Sequence, residues 1–333
     1  MSSPWRGLAL AGALVIGLVT TASGAVELGL ITGSDKGTYY QFGLNLRDLV
    51  KGRGFDLSVY PSRGSIENVY AVYQRPATQL GIVQSDVLAF VARVQTDPVL
   101  KRIAKKTKMV FPLYNEEIQI LARREITDFD DLADRRVAIG REGSGTYLTA
   151  RLVFKVSEVN PKETVNIDTQ EALDELKAGR IDAMFYVAGV PVKLFAEGVA
   201  ESDNLHLLPI TNKSVQEFYP TVEIPARTYA FQATPVNTVA VKAVLISFDF
   251  RRKDCDAIGQ FAQILYGNRP WLVQNGHPKW KSVDLDAQLR GWEQYDCVRK
   301  FVRRPGDPAA GAAAAKPASG NPVMDAIRDL LDQ

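Results

Sequence analysis

The strongest constraint on the fold is the way in which short apolar runs alternate with helical stretches. From Val26 onward, the runs VELGLITG, FDLSVYPS and TQLGIVQS are each followed by a polar loop and then by a sequence of helical periodicity. Strand, helix and strand in this order predict a parallel sheet joined by right-handed crossovers. After IQILARR the pattern begins again with RRVAIG, VNIDT and RIDAMFYVAG. The chain is therefore predicted to be an α/β protein built from two such units.

The two units are expected to form separate lobes with a ligand cleft between them. The roughly 300 residues after the N-terminal segment exceed one usual domain, and each unit is large enough to bury its own core. Strand-like runs near Ile118–Arg123 and Val239–Ile246 are the predicted hinge strands. The predicted divisions are a signal peptide at 1–25, a first lobe at 26–119 plus 242–302, a second lobe at 120–241, a low-complexity linker at 303–322, and a short amphipathic helix at 323–333. That helix either docks on a partner or stays a frayed or self-docked tail.

The first 25 residues, MSSPWRGLALAGALVIGLVTTASGA, are organised like a secretory signal peptide. Arg6 precedes an apolar run from Leu8 to Val19, and small residues end the segment at Ala25. We expect cleavage after Ala25 and a soluble, exported protein. A retained membrane anchor is the alternative, although the run is short for a span of about 20 residues.

Charge, cysteine and histidine content narrow the function classes. The formal net charge is +2 and the basic residues are scattered, which argues against a nucleic-acid-binding surface. Cys255 and Cys297 are predicted to form one disulfide in an oxidising compartment, with two free buried thiols as the alternative. The two histidines are His206 and His277, and no Cys/His cluster has the spacing of metal ligands. No metal or other cofactor is therefore predicted.

The loop GREGSGTY, Gly140 to Tyr147, lies between a predicted strand and a predicted helix. Its glycine spacing matches part of a phosphate-binding loop, but Thr146 stands where that motif has lysine, so the nucleotide-hydrolase interpretation fails. Backbone N–H groups at a helix start, with the hydroxyls of Ser144 and Thr146, can hold a carboxylate without transforming it. Ordinary N-capping by Ser144 is the alternative, and the two roles can coexist.

Three further loops repeat this design at the ends of predicted strands. In TGSDKGTYY, PSRGSIEN and IVQSDV, hydroxyl, amide or charged side chains come just before a helix. Ligands of α/β sheets bind outside the carboxyl ends of the strands, so the four loops are expected to converge on a small anionic or zwitterionic ligand. The candidates in these three loops are Ser34, Thr38 and Tyr39, then Arg63 and Ser65, then Gln84, Ser85 and Asp86. For Asp86, a helix cap is the more frequent role.

Six motifs in a fixed order resemble the substrate-binding subunits of TRAP transporters of the TAXI class. They are GSDKGTYYQFG, YPSRGSIENV, LGIVQSDV, VAIGREGSGTY, GRIDAMFYVAGVP, and IPARTY with NTVAVKAVL, and they extend from about Leu28 to Phe248. The resemblance implies a two-lobed periplasmic-binding-protein fold of type II, with two hinge strands and parallel-rich sheets. It implies a receptor that closes on its ligand and delivers it to sodium-coupled membrane subunits. Glutamate, glutamine or related organic acids are the ligands associated with the class, and the protein is expected to act as a monomer.

The resemblance also implies which residues contact the ligand. They are Ser34 to Tyr39 including Lys36, then Gly64 and Ser65, then Gln84 to Asp86, then Gly143 to Thr146 including Gly145, and finally Tyr186 and Val187 in the segment that runs to Gly189.

Three arginines depart from the usual pattern of the class. Arg63, Arg141 and Arg227 stand where the family often has glycine or another small uncharged residue, and the first loop has Asp35 and Lys36 where glycine is common. Guanidinium groups are favoured bidentate partners of carboxylates. We therefore hypothesise a ligand more acidic than those of the relatives. Solvated loop charges are the alternative.

Two other functions fit the same sequence. A sensory binding protein that signals to a membrane kinase could have an identical site. A periplasmic enzyme on this scaffold would need an acid, base or nucleophile in the cleft, for which Glu116, Glu117 and Tyr186 are the candidates. The scarcity of such groups favours binding without chemistry.

Overall fold

The computed structural model describes residues 24–93, 98–289 and 291–302. All but the last two residues of the predicted signal peptide lie outside the described residues, as do the predicted linker at 303–322 and the predicted helix at 323–333. Within the described ranges, no helix has both the length and the apolar character needed to cross a membrane.

The first unit begins with the predicted alternation of strands and helices. Its elements are β1 (Val26–Ile31), α1 (Thr38–Val50), β2 (Phe55–Tyr60), α2 (Ser65–Gln74), β3 (Leu80–Gln84), α3 (Ser85–Arg93) and α4 (Pro98–Lys106). β1 is parallel to β2 on one side, where Val26 lies opposite Phe55, and parallel to β3 on the other, where Leu30 lies opposite Leu80. The crossover helices cover this sheet, as the period of the apolar residues predicts.

The second unit repeats the pattern between two long strands, β4 (Thr107–Arg123) and β10 (Val236–Phe248). Its elements are β5 (Arg136–Ala138), α5 (Gly145–Ser157), β6 (Glu163–Val165), α6 (Thr169–Lys177), β7 (Ala183–Ala188), α7 (Lys193–Gly198), β8 (Leu205–Leu207), α8 (Lys213–Phe218) and β9 (Thr221–Ile224). Short 3₁₀ helices at Phe129–Leu132 and Glu201–Asp203 lie in its connections. β5 is parallel to both β6 and β7.

β4 and β10 join the two units into one sheet of order β2-β1-β3-β10-β4-β7-β5-β6, with β8 added to β4 and β9 to β10. They pair with each other in antiparallel orientation and each continues into both units. Both strands are longer than the predicted hinge runs, because β4 begins at Thr107 instead of near Ile118. The register shifts between Lys242 and Val244, opposite Pro112, which is where a strand tolerates a residue without an N–H group. The fold is thus the predicted mixed α/β, two-lobed architecture.

The C-terminal helices α9 (Lys253–Gly267), α10 (Arg269–Asn275) and α11 (Asp296–Phe301), with a 3₁₀ helix at Pro278–Ser282, pack on the first unit. The predicted disulfide between Cys255 and Cys297 is present and links α9 to α11, with Cα atoms 5.3 Å apart. A side chain at Gly259 would collide with Phe301 and with the carbonyl of Cys297, so the helices approach closely at this glycine. The disulfide prediction is confirmed.

Candidate functional site

A cavity of about 420 Å³ lies between the two units, at the carboxyl ends of their parallel strands. The loops after β1 and β2 and the end of β3 line it from the first unit, and the loops after β5 and β6 and the end of β7 line it from the second. This is the position in which α/β sheets bind ligands. The predicted site residues that line it are Ser34, Thr38, Tyr39, Arg63, Gly64, Ser65, Gln84, Arg141, Ser144, Gly145, Thr146, Tyr186 and Val187.

Two helices of the first unit direct their N-termini at the cavity. α1 follows Gly37 and α2 follows Gly64, and neither helix has a side-chain cap. The first N–H groups of a helix have no acceptor inside that helix, and its N-terminus carries a partial positive charge. Both helix starts therefore favour an anion in the cavity.

The N-terminus of α5 faces them from the second unit. Ser144 caps this helix, because its Oγ accepts a hydrogen bond from the N–H of Tyr147 at 3.1 Å. No acceptor for the N–H groups of Gly145 and Thr146 is found in the part of the chain that the structure describes. The hydroxyl Oγ1 of Thr146 accepts from the N–H of Val187 at 3.2 Å, which ties the loop to β7. Capping by Ser144 thus leaves two backbone donors at the cavity.

The two units touch at Gly145. A Cβ atom built there would lie 1.3 Å from Oε1 of Gln84 and 2.8 Å from Oγ of Ser65. Gly64 has a left-handed φ of +122°, and a Cβ there would lie 3.5 Å from the nitrogen of Gly145. Glycine at these two positions lets the helix starts of α2 and α5 meet across the cavity.

The floor of the cavity is formed by Glu116, Tyr39 and Tyr186. Glu116 is 1 % exposed, and the hydroxyl of Tyr39 donates to its Oε2 at 2.6 Å. Burial raises the pKa of Glu116 well above its ordinary value, and the nearby carboxyls of Asp86 and Glu117 raise it further. Burial also raises the pKa of the Tyr186 phenol. Burial therefore disfavours a charge on either side chain.

The mouth of the cavity carries the formal charges. Arg63, Arg141, Asp35 and Asp168 line it and are exposed to solvent. Asp168 accepts two backbone hydrogen bonds at the start of α6. Among the described residues, neither arginine has an ion-pair partner. Both guanidinium groups are accordingly available to an anion that enters.

Some predicted site residues lie outside the cavity lining. The amine Nζ of Lys36 bonds Oε1 of Gln170 across the two units at 2.5 Å, and Oγ of Ser85 accepts from the N–H of Lys242 at 3.0 Å. The carbonyl of Gly143 accepts from the N–H of Glu67. Arg227 is exposed, with a φ of 60°, in the turn after β9.

The turn that holds Arg227 explains its distance from the cavity. The N–H of Arg227 bonds the carbonyl of Gln232, and the Gln232 amide in turn donates to the carbonyls of Ile224, Pro225 and Thr234. These bonds fold the IPARTY motif back on itself at the edge of the sheet, beside the β9–β10 pair.

Asp86 lies beneath the cavity and not in its lining. It is buried, and its Oδ2 accepts hydrogen bonds from Thr149 Oγ1 at 2.6 Å and from the Tyr219 hydroxyl at 3.4 Å. Its Oδ1 accepts from the N–H of Val87 at the start of α3. Burial raises the pKa of Asp86 to about 6. Because Thr149 and Tyr219 belong to the second unit, Asp86 connects the two units directly.

Several residues of the lining were not predicted as ligand contacts, among them Glu116, Asp168 and Gln170. Asp168 and Gln170 come from VNIDTQE, which has the same order of strand, polar loop and helix as the predicted loops. That signal was available in the sequence. Glu116 is predicted from the sequence as a solvated edge or an ammonium contact, with a catalytic acid as the less favoured alternative, and its neighbour Glu117 does not line the cavity.

In the described ranges, no group of three or more His, Cys, Asp or Glu side chains is placed to hold a metal ion. His277 instead bonds the carbonyl of Pro191 through Nε2, and His206 bonds the carbonyl of Ile126.

Comparison with known proteins agrees with this architecture. The structure is similar to that of the periplasmic binding protein BugD, with a TM-score of 0.51 and 11 % identity over 78 % of this chain and 87 % of the other. It is also similar to a structure described as a periplasmic transporter, with a TM-score of 0.52 and 14 % identity over 76 % and 86 % of the two chains. At this identity the likeness concerns the fold. The model of the NMT1-like family matches residues 30–292, and the chain therefore belongs to the NMT1-like family.

Proposed function

We propose that this protein is an extracytoplasmic solute receptor for a small organic anion or amino acid, either glutamate-like or a dicarboxylate. The receptor encloses the solute between its lobes, performs no chemistry on it, and delivers it to the membrane subunits of a TRAP-type transporter. It acts in the periplasm as a monomer after removal of residues 1–25.

The observation that carries the proposal is the convergence of α1, α2 and α5 on one cavity between the two units. Helix N-termini bind carboxylates through N–H groups and the helix dipole. Donors from both units contact the same volume, so a carboxylate placed there holds the units together. An enzyme would need, in addition, a group placed to react with the solute.

Lobe closure is the proposed working motion. A first lobe of 26–119 plus 242–302 and a second lobe of 120–241 would rotate about β4 and β10, which continue through both. Contacts between the lobes are both polar and apolar: the Thr38 hydroxyl donates to the carbonyl of Gly189 at 2.5 Å, and Leu148 and Leu152 of α5 pack in a buried cluster of the first lobe. A ligand that touches both lobes shifts the population toward the closed state.

The transporter partner is inferred from the six sequence motifs and from the family. Five of the six motifs, and the NTVAVKAVL part of the sixth, contribute residues to the cavity or to the strands that position it. Uptake measurements test this part of the proposal. Cells that lack the protein should lose sodium-dependent uptake of the solute that it binds. Unchanged uptake, with a loss of the transcriptional response to the solute, would favour the sensory alternative.

A thermal-shift screen tests the receptor function. The exported protein is unfolded and refolded to remove any ligand carried through purification, and is then screened with amino acids, dicarboxylates, keto acids and short fatty acids. A ligand at one hundred times its dissociation constant should add about 2.7 kcal/mol, which is a shift of several degrees. If no acid in the panel stabilises the protein, the carboxylate assignment is wrong.

Substitution of the arginines tests whether the receptor prefers an acidic solute. Arg63→Ala with Arg141→Ala removes both guanidinium groups at the mouth, and Arg227→Ala is a matched control because Arg227 lies outside the cavity. If the receptor prefers an acidic solute, the double variant should lose affinity for dicarboxylates more than for monocarboxylates, while the control keeps both. Equal affinities in all three proteins would contradict the preference.

A further inference from the structure

Glu116 occupies an unusual place for a carboxyl group in an anion receptor. It lies on β4 at the floor of the cavity and is 1 % exposed. The Tyr39 hydroxyl bonds Oε2, whereas Oε1 has no hydrogen-bond partner among the residues that the structure describes. One oxygen of the group is thus held in place and the other is free to meet a ligand.

The nearby amine of Lys279 forms a buried ion pair with Glu117, the next residue of the strand, whose side chain points to the opposite face. In the described part of the chain, Glu116 itself has no ion-pair partner. A buried carboxylate without a counterion is strongly disfavoured, and such groups stay protonated.

Burial is the largest influence on the pKa of Glu116 and raises it, whereas the hydrogen bond from Tyr39 is the next largest and lowers it. Asp86 on α3 and Glu117 on β4 disfavour a second negative charge, whereas Lys279 acts in the other direction but makes the smallest of these contributions. The remaining titratable neighbours are phenols, whose own pKa values burial raises: Tyr39 on α1, Tyr114 on β4 and Tyr186 on β7. These phenols are neutral donors at physiological pH.

The three helix N-termini bring an anion close to Glu116. They attract an anion into the cavity that Glu116 lines. An ionised Glu116 would repel that anion at close range in a site shielded from water. A protonated Glu116 would instead offer it a hydrogen bond, because a neutral carboxylic acid has one O–H donor.

We propose that Glu116 works as a neutral carboxylic acid whose Oε1–H donates a hydrogen bond to a carboxylate of the bound solute, so that binding takes up a proton. The inference rests on the proposed receptor function and deepens it. In the open protein Glu116 faces water and is ionised near neutral pH. Closure around the anion removes that water, and a proton from solvent then remains on Oε1. Tyr39 holds the other oxygen as acceptor and so orients the donor.

Proton uptake predicts the direction in which affinity changes with pH. Between the pKa of Glu116 in the open protein and its higher pKa in the closed complex, affinity should fall about tenfold for each unit that the pH rises. A solute that places an ammonium group on Glu116 would give the opposite behaviour, since the carboxylate would then stay ionised and no proton would be taken up. The two possibilities predict opposite results for Glu116→Gln, which keeps a neutral donor and removes the charge.

The experiment is isothermal titration of the refolded protein with succinate, 2-oxoglutarate, L-glutamate and butyrate, from about pH 5.5 to about pH 8.5. Each titration is repeated in two buffers of different ionisation enthalpy, which counts protons without any substitution. The wild-type protein should take up about one proton per bound acid in this range. Glu116→Gln should bind the same acid with no uptake and with an affinity that does not depend on pH. Asp86→Asn is the matched control and should retain the uptake, since Asp86 is the other buried carboxyl near the site.

Three outcomes would overturn the inference, and they differ in what they leave standing. Loss of binding in Glu116→Gln, with no proton uptake by the wild type, means that Glu116 is ionised and pairs with a cationic group; the receptor function then stands. Uptake that persists in Glu116→Gln and disappears in Asp86→Asn assigns the proton to Asp86. Failure of all four acids to bind the wild type removes the carboxylate receptor function itself, and the role of Glu116 with it.

Discussion

A methyl group added at Gly145 should weaken ligand binding without impairing folding. A Cβ atom there would lie 1.3 Å from Oε1 of Gln84 and 2.8 Å from Oγ of Ser65. Gly145 begins α5 in the second unit, whereas Gln84 and Ser65 belong to the first. The collision therefore arises only when the two units are in contact. We predict that Gly145→Ala folds normally but closes less readily.

The size of the effect follows from the contacts of Gln84. This side chain is 2 % exposed; its Nε2 donates to Thr149 Oγ1 at 3.4 Å, and its Oε1 accepts from Ser65 at 3.4 Å. It cannot swing away from a new methyl group without losing both contacts. Overpacking of a filled contact costs about 1–3 kcal/mol, which corresponds to about 5- to 150-fold in affinity. The open chain should be as stable as the wild type or more so, because alanine is better than glycine in a helix by about 1 kcal/mol.

Titration calorimetry gives the affinity, and small-angle scattering with and without the stabilising acid reports closure. The wild type should contract when the acid is added, and Gly145→Ala should contract only at a higher acid concentration. Gly267→Ala is the matched control, because Gly267 ends α9 with open space around its Cβ position. Adding Gln84→Ala to Gly145→Ala removes the colliding atom and should restore contraction. Wild-type affinity in Gly145→Ala would refute the steric argument.

Three further predictions concern buried groups. Burial raises the pKa of Asp86 from 3.8 to about 6, so the stability it contributes is fully present below about pH 4 and is lost as the pH rises through about 6. Urea denaturation should show a loss of about 3 kcal/mol over this window, and Asp86→Asn should flatten it. Lys279→Met leaves Glu117 buried and unpaired and should lower the free energy of unfolding by about 3–5 kcal/mol. Adding Glu117→Gln should recover most of that loss in thermal denaturation. Replacing Cys255 and Cys297 by serine should cost about 3–4 kcal/mol in urea, because the disulfide closes a loop of 42 residues; a loss below about 1 kcal/mol would contradict the chain-entropy argument.

The order of elements was predictable because each strand and each crossover helix has its own local pattern. The loops of β1, β2 and β5 were also predictable as parts of one site, since their strands run parallel and end at the same edge of the sheet. β4 was harder to delimit. Its residues Met109 to Tyr114 are buried on both faces, so they show no alternation, and Pro112 suggests an end where the strand in fact continues.

Single residues were less predictable than loops. Arg227 follows a strand, as Arg63 and Arg141 do, but the loop after β9 leads into an antiparallel neighbour and so turns away from the carboxyl ends of the parallel strands. Glu116 is the converse case. Adjacent acids in a strand point to opposite faces, yet only the paired strands decide which face becomes the cavity. Glu117 meets Lys279 across a sequence separation of 162 residues, a contact that no local pattern contains.

The proposed receptor has charged arginines at the mouth of the cavity and uncharged hydrogen-bond donors in its interior. This arrangement explains how it can release the bound solute. Arg63 and Arg141 lie exposed at the mouth, where salt screens them beyond about 8 Å. The interior relies on helix N-termini and on the neutral Glu116, so no formal positive charge has to be desolvated when the lobes close. These interior donors converge only when α5 meets α1 and α2. In the proposed motion, rotation about β4 and β10 separates them, and the anion then loses its binding site without the withdrawal of a charged side chain. Affinity in such an arrangement is a property of closure, so a membrane partner that opens the lobes also releases the solute.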